Sequence, residues 1–220
     1  MKETLEVEIN SVTDNPIVFS TDLTISGGNF HGQPMALPID YAGLACSEIG
    51  NISDRRAYLA LEGKYEGTPR LLMEGTGMDS GFMILQYTTA ALASENKGLC
   101  WPASADSIPT SMGQEDHVSM GSISGRRANE ICGNVEQILA IELMFAAQAY
   151  DFRKKDGLKG SSVMEELHSE IRKHVAFASE DRIFGDDIEK MVALVRSGEL
   201  LELTKMVRDE SAFSELFETF

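Results

Sequence analysis

The stretch of this chain with the most chemically useful side chains runs from Pro109 to Ser122. It gathers hydroxyls, an amide, two carboxylates and an imidazole, in the order Pro-Thr-Ser-Met-Gly-Gln-Glu-Asp-His-Val-Ser-Met-Gly-Ser. Glu115 is the best candidate for a general acid or base, because Gln114 and Ser111 are near enough in sequence to orient its carboxylate. The alternative is that Glu115 and Asp116 only stabilise the positive end of a helix that starts here, an effect of about 0.3–1 kcal/mol.

Two earlier segments are also polar and lie outside the helical pattern. Asp14-Asn15-Pro16 is a turn, since Asx side chains bond the local backbone and proline biases the residue before it away from helix. Residues 25–34 form a glycine-rich loop that lacks the Gly-Lys-Ser/Thr of a phosphate-binding loop. Phe30, at the tip of this loop, either plugs into the core or contacts a ligand. Met83, later in the chain, is core filler by its residue type.

The spacing of apolar residues predicts that helices position these segments. A first helix ends near Asn10, and residues 17–19 can form a short strand. Further helices are predicted at about 38–62, 81–97 with Ser80 as its cap, 114–153, 162–178, 186–197, 199–207 and 212–220. The helix at 114–153 is apolar on nearly every face of its second half, which implies a bundle and an oligomer that covers the remaining faces.

These helices predict an all-α fold with two parts. We expect residues 1–155 to belong to a central helical bundle that carries the polar loops. A charged, glycine-bearing linker follows Arg153, and residues 156–220 are then a peripheral helical segment. In that segment His168 and His174 are most simply surface histidines.

Composition excludes several classes of function. The net charge of −16 disfavours nucleic acid and anionic membranes as partners, because both need clustered Lys and Arg. The three cysteines argue against a disulfide framework and favour a cytoplasmic protein, and no metal-binding spacing is present. No run approaches the roughly 20 apolar residues that span a bilayer. The first eight residues look like the tail of a helix without a cap, so we expect a piece of a longer protein.

Six segments carry a resemblance to a known family. They are Asn10-Ser-Val-Thr-Asp-Asn-Pro16, Ile25-Ser-Gly-Gly-Asn-Phe-His-Gly32, Glu48-Ile-Gly-Asn-Ile-Ser-Asp-Arg-Arg56, Asp79-Ser-Gly-Phe-Met83, Ala90-Ala-Leu-Ala-Ser-Glu-Asn-Lys97 and Gln114-Glu-Asp-His-Val-Ser-Met120. In this order and spacing they resemble the C-terminal half of the aromatic amino-acid ammonia-lyases, most closely the histidine ammonia-lyases. The resemblance covers about residues 5–155 and continues more loosely to about residue 200.

The resemblance implies a long-helix bundle of the ammonia-lyase type that forms a homotetramer with active sites built from several subunits. It implies elimination of ammonia from L-histidine to give urocanate. The family's electrophile, 4-methylidene-imidazol-5-one, is made from Ala-Ser-Gly, a tripeptide that this sequence does not contain. We therefore expect that group, the tyrosine base and the carboxylate-binding arginine in an N-terminal half, no cofactor within this chain, and no activity from this chain alone.

The resemblance also assigns roles to five positions. Glu115 matches the family's catalytic carboxylate, which assists acid–base steps or holds the substrate, and Gln114 matches the polar residue beside it. Asn15 matches a residue that helps to hold the substrate's carboxylate region. Phe30 matches an aromatic wall near the electrophile, and Met83 matches a residue of the pocket for the substrate's side chain.

Glutamate at 115 and methionine at 83 resemble the histidine type, because the phenylalanine and tyrosine types tend to have glutamine at position 115. Two positions depart from the family pattern: Asp79 and Gly113 stand where asparagine is usual. Two alternatives stay open. One is a lyase or 2,3-aminomutase of the same family that acts on tyrosine or phenylalanine, and the other is a non-catalytic helical oligomerisation module.

Overall fold

The computed structural model describes residues 1–207, and its helices confirm the expected all-α fold. The elements are α1 Lys2–Ile9, β1 Ile17–Val18, β2 Thr24–Ile25, α2 Gln33–Leu61, α3 Met83–Leu99, α4 Gly121–Lys155, α5 Ser162–His174, α6 Gly185–Ser197 and α7 Glu199–Val207. Strands β1 and β2 form one small antiparallel hairpin, with Ile17 opposite Ile25. None of the helices between residues 1 and 207 has the combination of length and apolar sequence that a membrane span requires. The helix predicted at 212–220 lies outside the described residues.

Two helix boundaries differ from the prediction by several residues. Helix α2 begins at Gln33, ahead of the predicted start at Pro38, because the N–H groups of Met35 and Ala36 both donate to the Gly32 carbonyl at 3.1 Å. Pro38 then lies inside the helix, in its second turn, where it has no N–H to donate to the carbonyl of the residue four positions earlier. Helix α5 ends at His174 rather than near residue 178.

The start of α4 is a larger correction. The prediction placed it at Gln114, but the helix begins at Gly121. Ser111, Met112 and Gly113 have left-handed backbone angles, with φ of 53°, 57° and 89°, so this segment turns back on itself. Glu115 therefore lies in a loop ahead of the helix, and its interpretation as a helix-end charge is wrong.

Contacts divide the chain into two compact units. The first consists of residues 1–48 and 95–133, and the second of residues 49–94 together with the residues from 134 onward. Helices α2, α3 and α4 each contribute residues to both units. The predicted boundary after residue 155 stays a prediction.

The first unit is built where α2 meets α4 and the connector before α4. A Cβ placed on Gly43 would lie 3.1 Å from the Ile131 Cδ1 atom, so the two helices approach closely at this glycine. The Asp40 carboxylate accepts from the Ser104 N–H at 2.8 Å. The Arg127 guanidinium donates to the Trp101 carbonyl at 2.6 Å. Side chains of the two helices thereby hold the connector that leads to the polar stretch.

The second unit has a continuous apolar core. Its fully buried members include Leu72, Leu85, Ile141, Met144, Phe145 and Met191. The same unit also contains a fully buried polar side chain, Gln148. Its amide nitrogen donates to the carbonyls of Leu72 at 3.1 Å and Ala178 at 2.7 Å, and its amide oxygen accepts from the Ala178 N–H at 3.1 Å. One side chain thus satisfies the backbone of two segments distant in sequence.

His168 is not a surface histidine. Only 11% of its side chain is exposed, and its Nε2 atom lies 2.8 Å from the Asp151 carboxylate. Arg172 pairs with the same carboxylate at 2.5 Å. The sequence pattern missed this burial because the partner lies on α4, a separate helix.

We expect that Gln148→Ala lowers the free energy of unfolding by about 2–4 kcal/mol, because it leaves buried backbone groups without partners. Urea denaturation measures the change. Gln137→Ala is a matched control, since Gln137 is on the same helix and forms no side-chain hydrogen bond among the described residues. An equal loss of stability in both variants would contradict this role for Gln148.

The junction of α4 and α5 predicts an acid-sensitive contribution to stability. The hydroxyl of Tyr150 and the ammonium of Lys154 donate to the Glu165 carboxylate, which lowers the pKa of Glu165 to about 2. A carboxylate whose folded pKa is depressed stabilises the fold above its unfolded pKa and loses that effect as the pH falls through the folded value.

We therefore expect that Glu165→Gln lowers the melting temperature near neutral pH. The difference from the unmodified protein should shrink as the pH falls from 4.5 toward about 2. Thermal melts over this pH range test the prediction. Glu166→Gln is the control, because Glu166 forms no side-chain hydrogen bond or ion pair in the described part of the chain. A difference that does not vary with pH would rule out the charge as its cause.

Candidate functional site

Asn15 is tied to the glycine-rich loop of the first unit. Its amide oxygen accepts from the Gly27 N–H at 3.0 Å. At the next residue, Gly28, a Cβ would lie 2.4 Å from the Asp14 carbonyl oxygen, so only glycine allows the loop to pass this close. This hydrogen bond and this close backbone contact therefore hold the predicted turn at residues 14–16 against the predicted loop at 25–34. The two amide N–H groups of Asn15 have no partner among the described residues.

Phe30 does not plug the core of its unit, because 41% of the residue is exposed. Its ring lies 4.3 Å from the ring of His31, centroid to centroid. The His31 ring makes an edge contact with His117, with centroids 5.1 Å apart. These three rings connect the glycine-rich loop to the polar stretch around Glu115.

Hydrogen bonds also join the glycine-rich loop to the polar stretch. The Ser119 hydroxyl donates to the carbonyl oxygen of His31. Ser107 lies 3.1 Å from the Nδ1 atom of His117, and its hydroxyl oxygen accepts from the Val118 N–H at 3.2 Å. Asn15, Phe30 and the polar stretch thus belong to one connected group of loops, as their assignment to one site requires.

The backbone of Glu115 is fixed, whereas its side chain is not engaged. Its N–H and carbonyl both bond to Thr110, at 3.3 Å and 2.9 Å. The residue is half-buried, and its carboxylate forms no hydrogen bond or ion pair with the described residues. Gln114, beside it, is exposed and equally without a side-chain partner. A carboxylate and an amide held in place but left unpaired are available to a ligand.

The departure at Gly113 has a backbone explanation. Gly113 has a φ of 89°, a left-handed conformation that glycine adopts freely and that asparagine tolerates better than most residues. Exchange between these two residue types preserves the turn that carries Glu115. The substitution therefore gives no reason to change the expected substrate.

The connector before the polar stretch is held by a charged group. Burial acts to raise the pKa of the Asp40 carboxyl, but hydrogen bonds from the N–H and hydroxyl of Ser104 and from the hydroxyl of Ser124 outweigh it. Together with the nearby charge of Arg127 they hold the pKa of Asp40 below its ordinary value. Asp40 is thus ionised at neutral pH and anchors the turn at Ala103–Ala105, which lies just before Ser107.

Met83 belongs to the second unit, where it is the first residue of α3 and half-buried. It lines an open cavity of about 610 Å³. Other residues on its wall are Tyr58, Arg70, Thr76, Gln86 and Tyr87. Met83 is therefore at a cavity wall rather than inside the apolar core, contrary to the reading of this residue as core filler.

Sequence patterns did not reveal the residues that join the loops. His31 and Ser119 are far apart in the chain, and no local periodicity or motif links them. Ser107 lies in a connector without regular structure. Only residue-type cues were present, a histidine at a loop tip and a hydroxyl in a polar stretch. No group of three or more His, Cys, Asp or Glu residues in the described chain could hold a metal ion.

Comparison with known proteins identifies the family of this chain. A family model for aromatic amino acid lyases matches residues 1–173. Histidine ammonia-lyase 1 of Fusobacterium nucleatum is 47% identical over 205 residues, which cover 92% of this chain and 39% of the relative. Histidine ammonia-lyase of Alkaliphilus oremlandii is 50% identical over 200 residues, which cover 90% of this chain and 39% of the relative.

Solved structures show the same fold. The histidine ammonia-lyase of Trypanosoma cruzi superposes with a TM-score of 0.88 at 43% identity, over 95% of this chain and 41% of that one. The tyrosine aminomutase of Streptomyces globisporus superposes with a TM-score of 0.86 at 36% identity, over 94% of this chain and 40% of that one. The chain spans about two fifths of the length of these relatives. With the family model matching most of its length, this chain belongs to the aromatic amino acid lyase family.

Proposed function

We propose that this chain is the C-terminal portion of an enzyme that eliminates ammonia from L-histidine to give urocanate. The observation that carries the proposal is Glu115, a half-buried residue whose backbone is fixed in a loop and whose carboxylate has no partner among the described residues. Its loop is joined to the one that carries Phe30 and Asn15. The curated relatives named above support histidine as the substrate, since both are histidine ammonia-lyases.

We refer to the longer protein to which this chain belongs as the parent. The electrophile of this reaction, 4-methylidene-imidazol-5-one, is proposed to lie in the rest of the parent, because this sequence lacks Ala-Ser-Gly. That group supplies the electrophilic centre that activates the substrate's amino group for departure. The residues of this chain fit such a neighbour. Phe30 offers an exposed aromatic ring against which a planar heterocycle can pack, and Asn15 has amide N–H groups that no described residue uses.

The reaction breaks a C–N bond and a neighbouring C–H bond and forms a C=C bond. In our proposal Glu115 accepts a hydrogen bond from the substrate and assists the movement of a proton at its carboxylate oxygens. Asn15 donates to the substrate's carboxylate, and Gln114 adds a polar contact beside Glu115. Met83 lines the pocket for the substrate's side chain. The tyrosine base and the carboxylate-binding arginine belong to the rest of the parent.

The proposal extends to the location and assembly of the parent enzyme. In this proposal the parent is a cytoplasmic homotetramer that binds neither nucleic acid nor membrane, and several subunits complete each active site. The net charge of −16 supports the absence of nucleic acid as a partner. Exposed apolar side chains along α2, among them Leu37, Tyr41, Leu44, Ile49 and Ile52, support association with further chains.

A second candidate is a tyrosine 2,3-aminomutase, favoured by the likeness to the Streptomyces globisporus structure. Glutamate at position 115 and methionine at position 83 favour histidine. We expect the full-length parent to release urocanate from histidine and to leave tyrosine and phenylalanine nearly untouched. Chromatography of the products from each amino acid checks this. Coumarate, cinnamate or a β-amino acid as the main product would overturn the histidine assignment, and no turnover of any of the three would favour a non-catalytic oligomerisation module.

For the role of Glu115, we expect that Glu115→Gln in the parent lowers kcat by about 100-fold or more, because the variant loses the group that exchanges a proton. Its size-exclusion profile should not change. Asp116→Asn is the matched control, since the adjacent Asp116 is exposed and bonds only the His117 N–H at 2.8 Å. Near-normal turnover in Glu115→Gln would remove Glu115 from the mechanism.

A further inference from the structure

The turn just before helix α3 is held by a residue about a hundred positions away. The Asp181 carboxylate accepts from the Ser80 N–H at 2.7 Å and from the Gly81 N–H at 2.8 Å, one bond to each oxygen. In return the Asp181 N–H donates to the Asp79 carboxylate at 3.0 Å. These three hydrogen bonds are referred to below as the Asp181 clamp.

The clamp lies just ahead of the helix and is not a helix cap. Ser80 and Gly81 precede Met83, the first helical residue, so the clamp fixes the turn that leads into α3. The sequence predicted Ser80 as the cap, but helix α3 begins at Met83 and the Ser80 side chain forms no hydrogen bond among the described residues. A carboxylate that accepts two N–H bonds is a stronger anchor than a neutral hydroxyl. The position of the turn therefore depends on Asp181.

Met83 follows this turn directly. It is the first helical residue, and it lines the cavity of about 610 Å³ in the second unit. The intervening Phe82 is fixed separately: its N–H donates to the Leu71 carbonyl at 3.0 Å, and its ring contacts Phe145 with centroids 5.2 Å apart. Loss of the clamp is therefore expected to loosen the turn and the Met83 side chain without unfolding the helix.

We propose that Asp181 is a positioning residue for the reaction, which acts by holding the turn at Asp79–Gly81 and thereby placing Met83 against the substrate's side chain. This inference rests on the function proposed above, in which Met83 lines that pocket. It gives the segment after residue 155 a part in substrate recognition. The same clamp explains why aspartate can replace the family's usual asparagine at position 79. Either side chain offers an acceptor oxygen to the Asp181 N–H.

Kinetics of the full-length parent test the proposal. Asp181→Ala should raise KM for histidine about tenfold and change kcat less than about twofold, since a side-chain contact made equally in ground and transition states affects KM alone. Asp181→Asn keeps one acceptor oxygen and should give a smaller rise. In a Met83→Ala background, Asp181→Ala should change KM less than about twofold, because the contact that it positions is already gone.

The control is Arg196→Gln. Arg196 pairs with Glu136 at 2.6 Å and so joins α6 to α4, away from the start of α3. This variant should keep the parent's KM. The inference is overturned if KM stays unchanged in Asp181→Ala or rises equally in Arg196→Gln. It is also overturned if Asp181→Ala raises KM by the same factor with and without Met83→Ala. None of these outcomes would affect the histidine reaction itself.

Hydrogen exchange separates failure of the inference from failure of the proposed function. In the parent the amides of Ser80 and Gly81 should be protected, and Asp181→Ala should remove that protection. If the parent does not turn over histidine, the proposed function fails, and these two amides still decide whether the clamp exists. Equal exchange in the parent and in Asp181→Ala would overturn it.

Discussion

A backbone N–H or carbonyl that leaves water must find a partner, and this requirement organises the irregular parts of the chain. In three places a single polar side chain meets it for a segment remote in sequence. Asp40 holds the turn before the polar stretch, Gln148 holds two segments inside an apolar core, and Asp181 holds the turn before α3. Each charged or amide group thereby sets the path of a loop that has little regular structure of its own.

The same requirement explains why the candidate site is a set of loops rather than a helix end. The turn from Thr110 to Glu115 closes on itself through backbone hydrogen bonds, at the cost of left-handed angles at Ser111 and Met112. Such angles cost non-glycine residues about 1–3 kcal/mol each and persist where the surroundings impose them. This turn carries a glutamate whose backbone is fixed and whose carboxylate has no hydrogen-bond or ion-pair partner within the described chain. A group prepared in this way suits catalysis better than a flexible surface carboxylate does.

The proposed chemistry is divided between this chain and the rest of its parent. In the proposal, Glu115, Asn15, Phe30 and Met83 bind, orient or exchange protons, and the electrophile comes from a tripeptide that this sequence lacks. A chain that carries one wall of an active site exposes side chains that would otherwise contact the missing wall. The exposure of Phe30 and the amide N–H groups of Asn15, which no described residue accepts, are consistent with that situation.

Sequence patterns alone predicted the helical scaffold and named the candidate residues of the site. Helical periodicity is a local property, so most helices were predicted within a few residues, and the order of motifs in one chain indicated the family. The start of α4, the burial of His168 and the bonds that join His31 to Ser119 could not be predicted this way. Each depends on groups separated by many residues, whose approach is decided by packing. The same is true of Glu115: the sequence named the carboxylate, but packing placed it in a loop ahead of the helix, without a partner among residues 1–207.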